Sequence, residues 1–304
     1  MRVSFHPDYR VELPPTHPYP MGKYPLLHAR LLDGGIIHAA DVMRPDEAPY
    51  DMLARVHTAD YLARLDADAL TTAERRRLGV PFTPRLWRRS RLAVHGSWLA
   101  ACAALTEGLA GNLAGGTHHA YADHGEGFCV LNDVAIAIRR LRADGAVRRA
   151  LVVDLDVHQG NGTAAIFADD PEVYTLSLHG ERNYPVRKER STRDIELPDG
   201  TGDEPYLAAL VPALAAAVDA ARPEIAFLLA GVDVVAGDRY GRLALSEAGL
   251  RERERLAIAM LRDAGCPVAI VLGGGYAVST LRTAELHAIV FEEAARRYRA
   301  ERER

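Results

Sequence analysis

Three polar residues at alternate positions, Asp154, Asp156 and His158, interrupt the apolar run L-V-V-D-L-D-V-H-Q-G-N-G between Leu151 and Gly162. In an extended chain successive side chains point to opposite sides, so these three share one side while Val153, Leu155 and Val157 share the other. Taking a carboxylate out of water costs several kcal/mol even after relaxation, so two of them in an apolar strand call for a cation or strong hydrogen bonds. A second apolar run, Ile225 to Val235, carries a further lone carboxylate, Asp233, at its exit. Asp156, His158 and Asp233 then make a three-ligand set with an open fourth position, the arrangement of a catalytic zinc site, and an O,N,O set that Fe(II) also accepts. Taken alone, Asp233 fits a helix cap equally well. The D-x-D-x-H triplet does not.

Two other segments bear chemistry. Gly115-Gly116-Thr117-His118-His119 sets adjacent imidazoles on a glycine-rich loop, upstream of Gly127-Phe128-Cys129. Imidazole is the side chain suited to proton transfer near neutral pH, although an isolated His pair is more often a surface feature. Leu272-Gly273-Gly274-Gly275-Tyr276 follows another apolar run, where glycines permit close backbone approach and a tyrosine hydroxyl can be aimed inward. By itself it reads as a turn with a packed aromatic.

These groups need a frame. Strand-like runs at Ala150 to Val157, Val173 to Leu178, Ile225 to Gly231 and Val268 to Leu272 alternate with helical patterns at Thr163 to Ala168, Tyr206 to Ala221, Glu247 to Ala264 and Val278 to Arg299. Ser246 is a plausible N-cap for the third of these. Arg88 to Leu113 and Asn132 to Arg142 read as helices in the first half. Continuously apolar strands separated by helices predict an α/β fold with a central parallel sheet flanked by helices on both faces. Neither a Pro/Gly/Ser-rich linker nor a repeat divides the chain, so residues 1–304 are expected to form one domain, with the ligand site beyond the carboxyl ends of the strands.

Composition sets the limits. With 304 residues, 48% hydrophobic content and a net charge of −4, the chain can bury a large core, and disorder is excluded. No basic field is available for a phosphate backbone, so nucleic acid is not an expected partner. Cys102, Cys129 and Cys266 have neither disulfide-framework nor thiolate-zinc spacing, and Cys129 reads as a small buried hydrophobe. The N-terminus M-R-V-S-F-H-P-D-Y-R has no apolar core of a signal peptide, and Asp233 interrupts the run from Ile225 to Val235, so no membrane association and a cytoplasmic location are expected. All but two of the 37 basic residues, Lys23 and Lys188, are arginine, a usage expected of a GC-rich bacterial genome.

Together, G-T-H-H-A with G-F-C-V-L-N-D downstream, D-L-D-V-H-Q-G-N-G, G-V-D-V-V-A-G-D and G-G-G-Y stand in the order seen in the arginase/deacetylase superfamily. The chain resembles its zinc-dependent histone deacetylases from the N-terminal H-P-D-Y segment to the last helix. The Q-G-N-G run and the segment from His17 to Lys23 are more similar to the class IV branch and its bacterial relatives. The resemblance implies zinc ligation by Asp156, His158 and Asp233, tandem catalytic histidines His118 and His119, and Tyr276 polarising a carbonyl. It also implies that Asp154 orients His118 and that Gly127, Phe128 and Tyr184 wall an acyl tunnel. A structural potassium site is implied at Asp154, the backbone of Asp156, His158 and Leu178, and the Ser177 hydroxyl, with a second near Phe167, Asp170 and Val173. The second histidine is backed by an aspartate in class I, whereas Asn161 stands here.

The activity so implied is removal of acetyl or longer acyl groups from lysine side chains, with acetylpolyamines or other small acylated amines as the alternative substrates and a monomer slightly favoured. Two other readings compete. Gly160-Asn161-Gly162-Thr163-Ala164-Ala165 fits the G-x-G-x-x-A of a dinucleotide-binding oxidoreductase, but Asp154 and Asp156 would repel a pyrophosphate. A binuclear manganese ureohydrolase needs a further aspartate where Gly160 stands.

Overall fold

The four β-branched and aliphatic runs form the heart of a single eight-stranded sheet. The computed structural model describes residues 1–303. In chain order the elements are β1 (Val3–Ser4), α1 (Lys23–Asp33), β2 (Val42–Met43), α2 (Tyr50–Leu53), α3 (Ala59–Asp66), α4 (Thr72–Leu78), α5 (Pro84–Glu107), β3 (Leu109–Asn112) and α6 (Asp133–Ala143). The second half adds β4 (Ala150–Asp154), α7 (Asn161–Ile166), β5 (Val173–Gly180), β6 (Arg193–Leu197), α8 (Asp203–Ala221), β7 (Ile225–Leu229), α9 (Glu247–Asp263), β8 (Val268–Val271) and α10 (Thr280–Arg302). The strand order is β2-β1-β3-β8-β7-β4-β5-β6, and every pairing is parallel.

Helices cover both faces, which is why the strands carry no polar alternation. Val152, Phe227, Leu229, Ala269 and Val271 pack with α5 and α6 through Ala101, Ala104, Val134 and Ile138. Their neighbours Leu151, Val153, Leu228 and Ile270 face the opposite layer, built on α8, α9 and α10 with Leu210, Leu214, Ile258 and Phe291. Ser246 caps α9 by accepting from Gly249 N at 3.0 Å, as expected from the sequence.

One expectation changes. The helix read from Arg88 to Leu113 ends at Glu107: Gly108 takes a φ of +86°, and Leu109–Asn112 continue as β3 between β1 and β8. The helix read from Tyr206 to Ala221 forms as α8, the one described helix long and apolar enough by length and composition to cross a bilayer. Here it packs on β4 and β5 with Tyr206, Leu210, Ala213, Leu214 and Ala217 buried.

Candidate active site

The chemistry-bearing residues stand on loops at the carboxyl ends of four neighbouring strands. His118 and His119 follow β3, Asp156 and His158 follow β4, Asp233 follows β7 and Tyr276 follows β8. All but Asp233, which is fully buried beside His158, border one cavity of about 290 Å³ lined by Tyr19, Phe128, Tyr184, Tyr240 and Tyr276, with His118, His119, Asp156 and His158 exposed to it. Its volume lies at the small end of ligand pockets, which suits a small group better than a dinucleotide.

Single ligand atoms of Asp156, His158 and Asp233 lie within 4.8 Å of one another, the sole such cluster of three or more metal-binding groups among the described residues. His158 Nδ1 sits 3.0 Å from Asp156 Oδ1 and 3.3 Å from Asp233 Oδ2. The remaining carboxylate oxygens are engaged: Asp156 Oδ2 accepts from Gly274 N at 2.6 Å and Asp233 Oδ1 from Val157 N at 2.9 Å. Asp233 Oδ2, fully buried, has no hydrogen-bond donor. Burial and the neighbouring Asp156 push Asp233 up to about 6. Burial works against a charged His158, yet its hydrogen bond to Asp156 and the nearby Asp233 carboxylate raise it to about 10. Two carboxylates and one imidazole therefore demand positive charge at the point between them, and a divalent cation supplies it: the residues fit a metal ion. Gly274 makes the close approach possible, because a Cβ there would collide with the Asp233 carboxylate.

The imidazoles have separate environments. His118 Nδ1 meets Asp154 Oδ2 at 2.7 Å; although burial opposes its charge, Asp154 and Asp156 raise it to about 9. His119 Nδ1 meets Asn161 Oδ1 at 2.6 Å, and burial together with His118 and His158 holds it well below the ordinary imidazole value. The loop bearing both is fixed from behind by Asp133, whose carboxylate accepts from Gly116 N at 3.1 Å and Thr117 N at 2.7 Å. Asp154 lies opposite Ser177 in the β4–β5 register, next to Leu178, where the resemblance implies potassium; the Ser177 hydroxyl lies 2.8 Å from His179 Nδ1.

The cavity wall is tightly built. Phe128 adopts a left-handed φ of +68°, costly for an aromatic residue, and is held there by its N–H donating to Leu78 O at 2.8 Å. Gly127 precedes it, and a Cβ there would stand 2.5 Å from the His119 ring. The Phe128 ring meets Tyr19 and Tyr276 at 5.4 and 6.2 Å between centroids. Tyr184, about 40% exposed, stands edge-on to His119 at 5.1 Å.

Several contributors were not read from the sequence. Asp238 accepts from Tyr276 N at 2.7 Å and from Tyr240 N at 2.8 Å, fixing the loop that presents Tyr276. Lys23, buried, donates to Gly273 O at 2.9 Å and lies 3.2 Å from His287 Nε2, bracing the same glycine turn. Glu126 accepts from Asn161 Nδ2 at 2.8 Å. Each acts across a long stretch of chain, and only Lys23 carried a signal, as one of two lysines.

The competing readings do not survive this packing. Gly160 has the Asp154 carboxylate against it and Gly162 the Ala120 carbonyl, so no pyrophosphate can lie on that turn. Asp238, the nearest further acid to Asp233 in the chain, is committed to backbone N–H groups rather than to a second ion.

A parallel sheet bearing such a cluster beyond its carboxyl edge has the arginase/deacetylase architecture. The crystal structure of a histone deacetylase homolog from Aquifex aeolicus superposes with a TM-score of 0.81 at 25% identity, covering 97% of this chain and 83% of that one. An uncharacterized protein of Picosynechococcus sp. is 46% identical over 275 residues, 90% of this chain and 92% of its own. Histone deacetylase 2 of Arabidopsis thaliana is 30% identical over 275 residues, 88% of this chain and 71% of its own. Residues 17–290 match the family described as the histone deacetylase domain. The chain belongs to the histone deacetylase family, and its chemistry is that of a deacetylase hydrolase.

Proposed function

We propose that the protein hydrolyses the amide of an acylated lysine side chain, or of a small acylated amine, with a divalent ion held by Asp156, His158 and Asp233. Zinc is the first choice and Fe(II) the second. One observation carries this reading: Asp156 and His158 of the ligand cluster, the paired histidines and Tyr276 border a single cavity, with Asp233 buried directly behind the first two. When bound, the ion supplies Lewis-acid chemistry that makes water a nucleophile near neutral pH and draws electrons from the amide carbonyl.

The remaining work belongs to side chains of this protein. His119, with Nδ1 held by Asn161, offers Nε2 as the general base for the attacking water and stays neutral at pH 7 because its basicity is depressed. The new C–O bond forms, the C–N bond breaks, and the same proton goes to the departing amine. His118, drawn upward by Asp154, remains cationic and stabilises growing negative charge. Tyr276 donates to the carbonyl oxygen; burial pushes its phenol well above 10, so it keeps its proton. Phe128 and Tyr184 exclude water along the acyl-bearing chain. A potassium ion at Asp154, Ser177 and Leu178 belongs to the same reading.

The decisive assay offers zinc-loaded protein a panel of acetyl-lysine peptides, longer acyl-lysine peptides and acetylpolyamines. Hydrolysis of at least one, abolished by chelation and restored by zinc, is expected; inertness toward all of them would end the proposal.

Asn161 also gives a pH prediction. A carboxylate partner favours the imidazolium where an amide does not, so an acid at position 161 raises the His119 pKa and moves the acidic limb of kcat/KM to higher pH. Glu126, 2.8 Å from the Asn161 nitrogen, would repel that new charge. The clean variant is therefore Asn161→Asp combined with Glu126→Gln, and an acidic limb that stays in place would discredit the assignment of His119.

A further inference from the structure

The mechanism leaves one half-buried carboxylate beside the base without a role. Glu126 lies in the turn between His119 and Phe128, its side chain 15% exposed, and its backbone is pinned by paired bonds with Cys129, N to O at 3.0 Å and O from N at 2.8 Å. Its Oε1 accepts from Asn161 Nδ2 at 2.8 Å and from the Tyr184 hydroxyl. Its Oε2 faces His124 Nε2 at 3.7 Å. Asn161 Nδ2 lies also 3.1 Å from the Tyr121 hydroxyl, which donates onward to Glu189.

An asparagine behind a histidine poses a problem that an aspartate does not. Both oxygens of a carboxylate accept, so the ring nitrogen facing it must carry the proton. An amide has one accepting and one donating end of nearly equal size, and turning it over exchanges them. With Oδ1 toward His119, the proton sits on Nδ1 and Nε2 is free to act as base. With Nδ2 toward His119, the proton moves to Nε2 and the base is lost. Something must select the first arrangement. A carboxylate selects it, because an acceptor-only group beside the amide takes Nδ2 and repels Oδ1.

We infer that Glu126 is a positioning residue: its carboxylate locks the Asn161 amide, and through it the His119 tautomer, while the same oxygen anchors the Tyr184 hydroxyl on the tunnel wall. This rests on the reading of His119 as the base. The arrangement also places a negative charge one residue removed from the imidazole, where it supports a transient imidazolium less strongly than a directly bonded carboxylate.

The test uses zinc-loaded wild type, Glu126→Ala, Asn161→Ala and the double variant. Loss of a hydrogen-bonded partner one shell out typically costs 10- to 100-fold, so Glu126→Ala is expected to lower kcat by roughly that factor, while release of the Tyr184 hydroxyl is read separately as a rise in KM. In the Asn161→Ala background the same substitution should lower kcat no further. Nitrogen-15 NMR of histidine-labelled protein reads the tautomer itself, the His119 signal being assigned by its disappearance in His119→Gln. Wild type should show the proton on Nδ1, and Glu126→Ala should show the Nε2-protonated form gaining population. Glu126→Gln, which keeps the volume of the turn, covers the case in which the alanine variant does not fold, and should give a mixture of both forms. An unchanged tautomer in the glutamate variants, or an equal loss of kcat with and without Asn161, overturns the proposal. Failure of the underlying reading looks different, because His119→Gln would then turn over like wild type, and the NMR comparison would still decide the lock.

Discussion

Tyr276→Phe should fold normally, bind its metal with wild-type stoichiometry and lose roughly 10²- to 10³-fold in kcat, the usual consequence of deleting one donor to a developing oxyanion. The side chain is half-buried at the cavity, its backbone N–H is held by Asp238 at 2.7 Å, and its ring stands against Tyr240 at 4.9 Å and Tyr19 at 6.1 Å between centroids. Phenylalanine preserves all of those packing and backbone contacts. Only the hydroxyl disappears, so KM should move far less than kcat if the hydrogen bond strengthens as the carbonyl becomes tetrahedral. Turnover close to wild type would remove Tyr276 from the reaction.

Asp233→Asn tests the ion directly. Asparagine keeps an oxygen for the Val157 N–H, now satisfied by Asp233 Oδ1 at 2.9 Å, but replaces the unpartnered Oδ2 with a donating NH₂ and deletes the charge. The backbone is therefore retained while one ligand becomes a group that turns its hydrogens toward the metal position. Zinc in excess should raise the melting temperature of wild type by several degrees, since ligand at 100 times its Kd adds about 2.7 kcal/mol to folding stability. The variant is expected to show no such rise, to carry almost no metal after dialysis, and to lose activity with it. Full metal content in Asp233→Asn would mean that the cluster is held some other way.

The parts of this molecule that were legible in the sequence are those in which one physical demand dominates. β4, β7 and β8 lie between helical layers on both faces, so they must be apolar throughout, and their runs stand out. The alternation of Asp154, Asp156 and His158 within such a run has no structural explanation, which is why the ligand set was visible. β1 and β2 are two residues long and leave no pattern. β3 was absorbed into the preceding helix because Leu109–Asn112 extends an alanine-rich pattern, and only the conformation of Gly108 separates them. β6, with the sequence R-D-I-E-L, lies at a sheet edge, where solvent removes the need for apolar residues. In the site, the residues that gather at the cavity were readable, as were Asp154 and Asn161 behind the two histidines, but the acids that fix the loops around them were not. Asp133, Asp238 and Glu126 are ordinary acids in their own segments; their importance arises from partners brought near by folding, 17, 38 and 35 positions away.

The four strands that bear the reactive loops, β3, β8, β7 and β4, are also the inner four of the sheet, with two more outboard on either side. Unzipping that starts at a free margin has to consume β2 and β1, or β6 and β5, before it can disturb the reaction centre. The outer strands act as fenders, so local opening at the periphery reaches the central machinery only after they are lost.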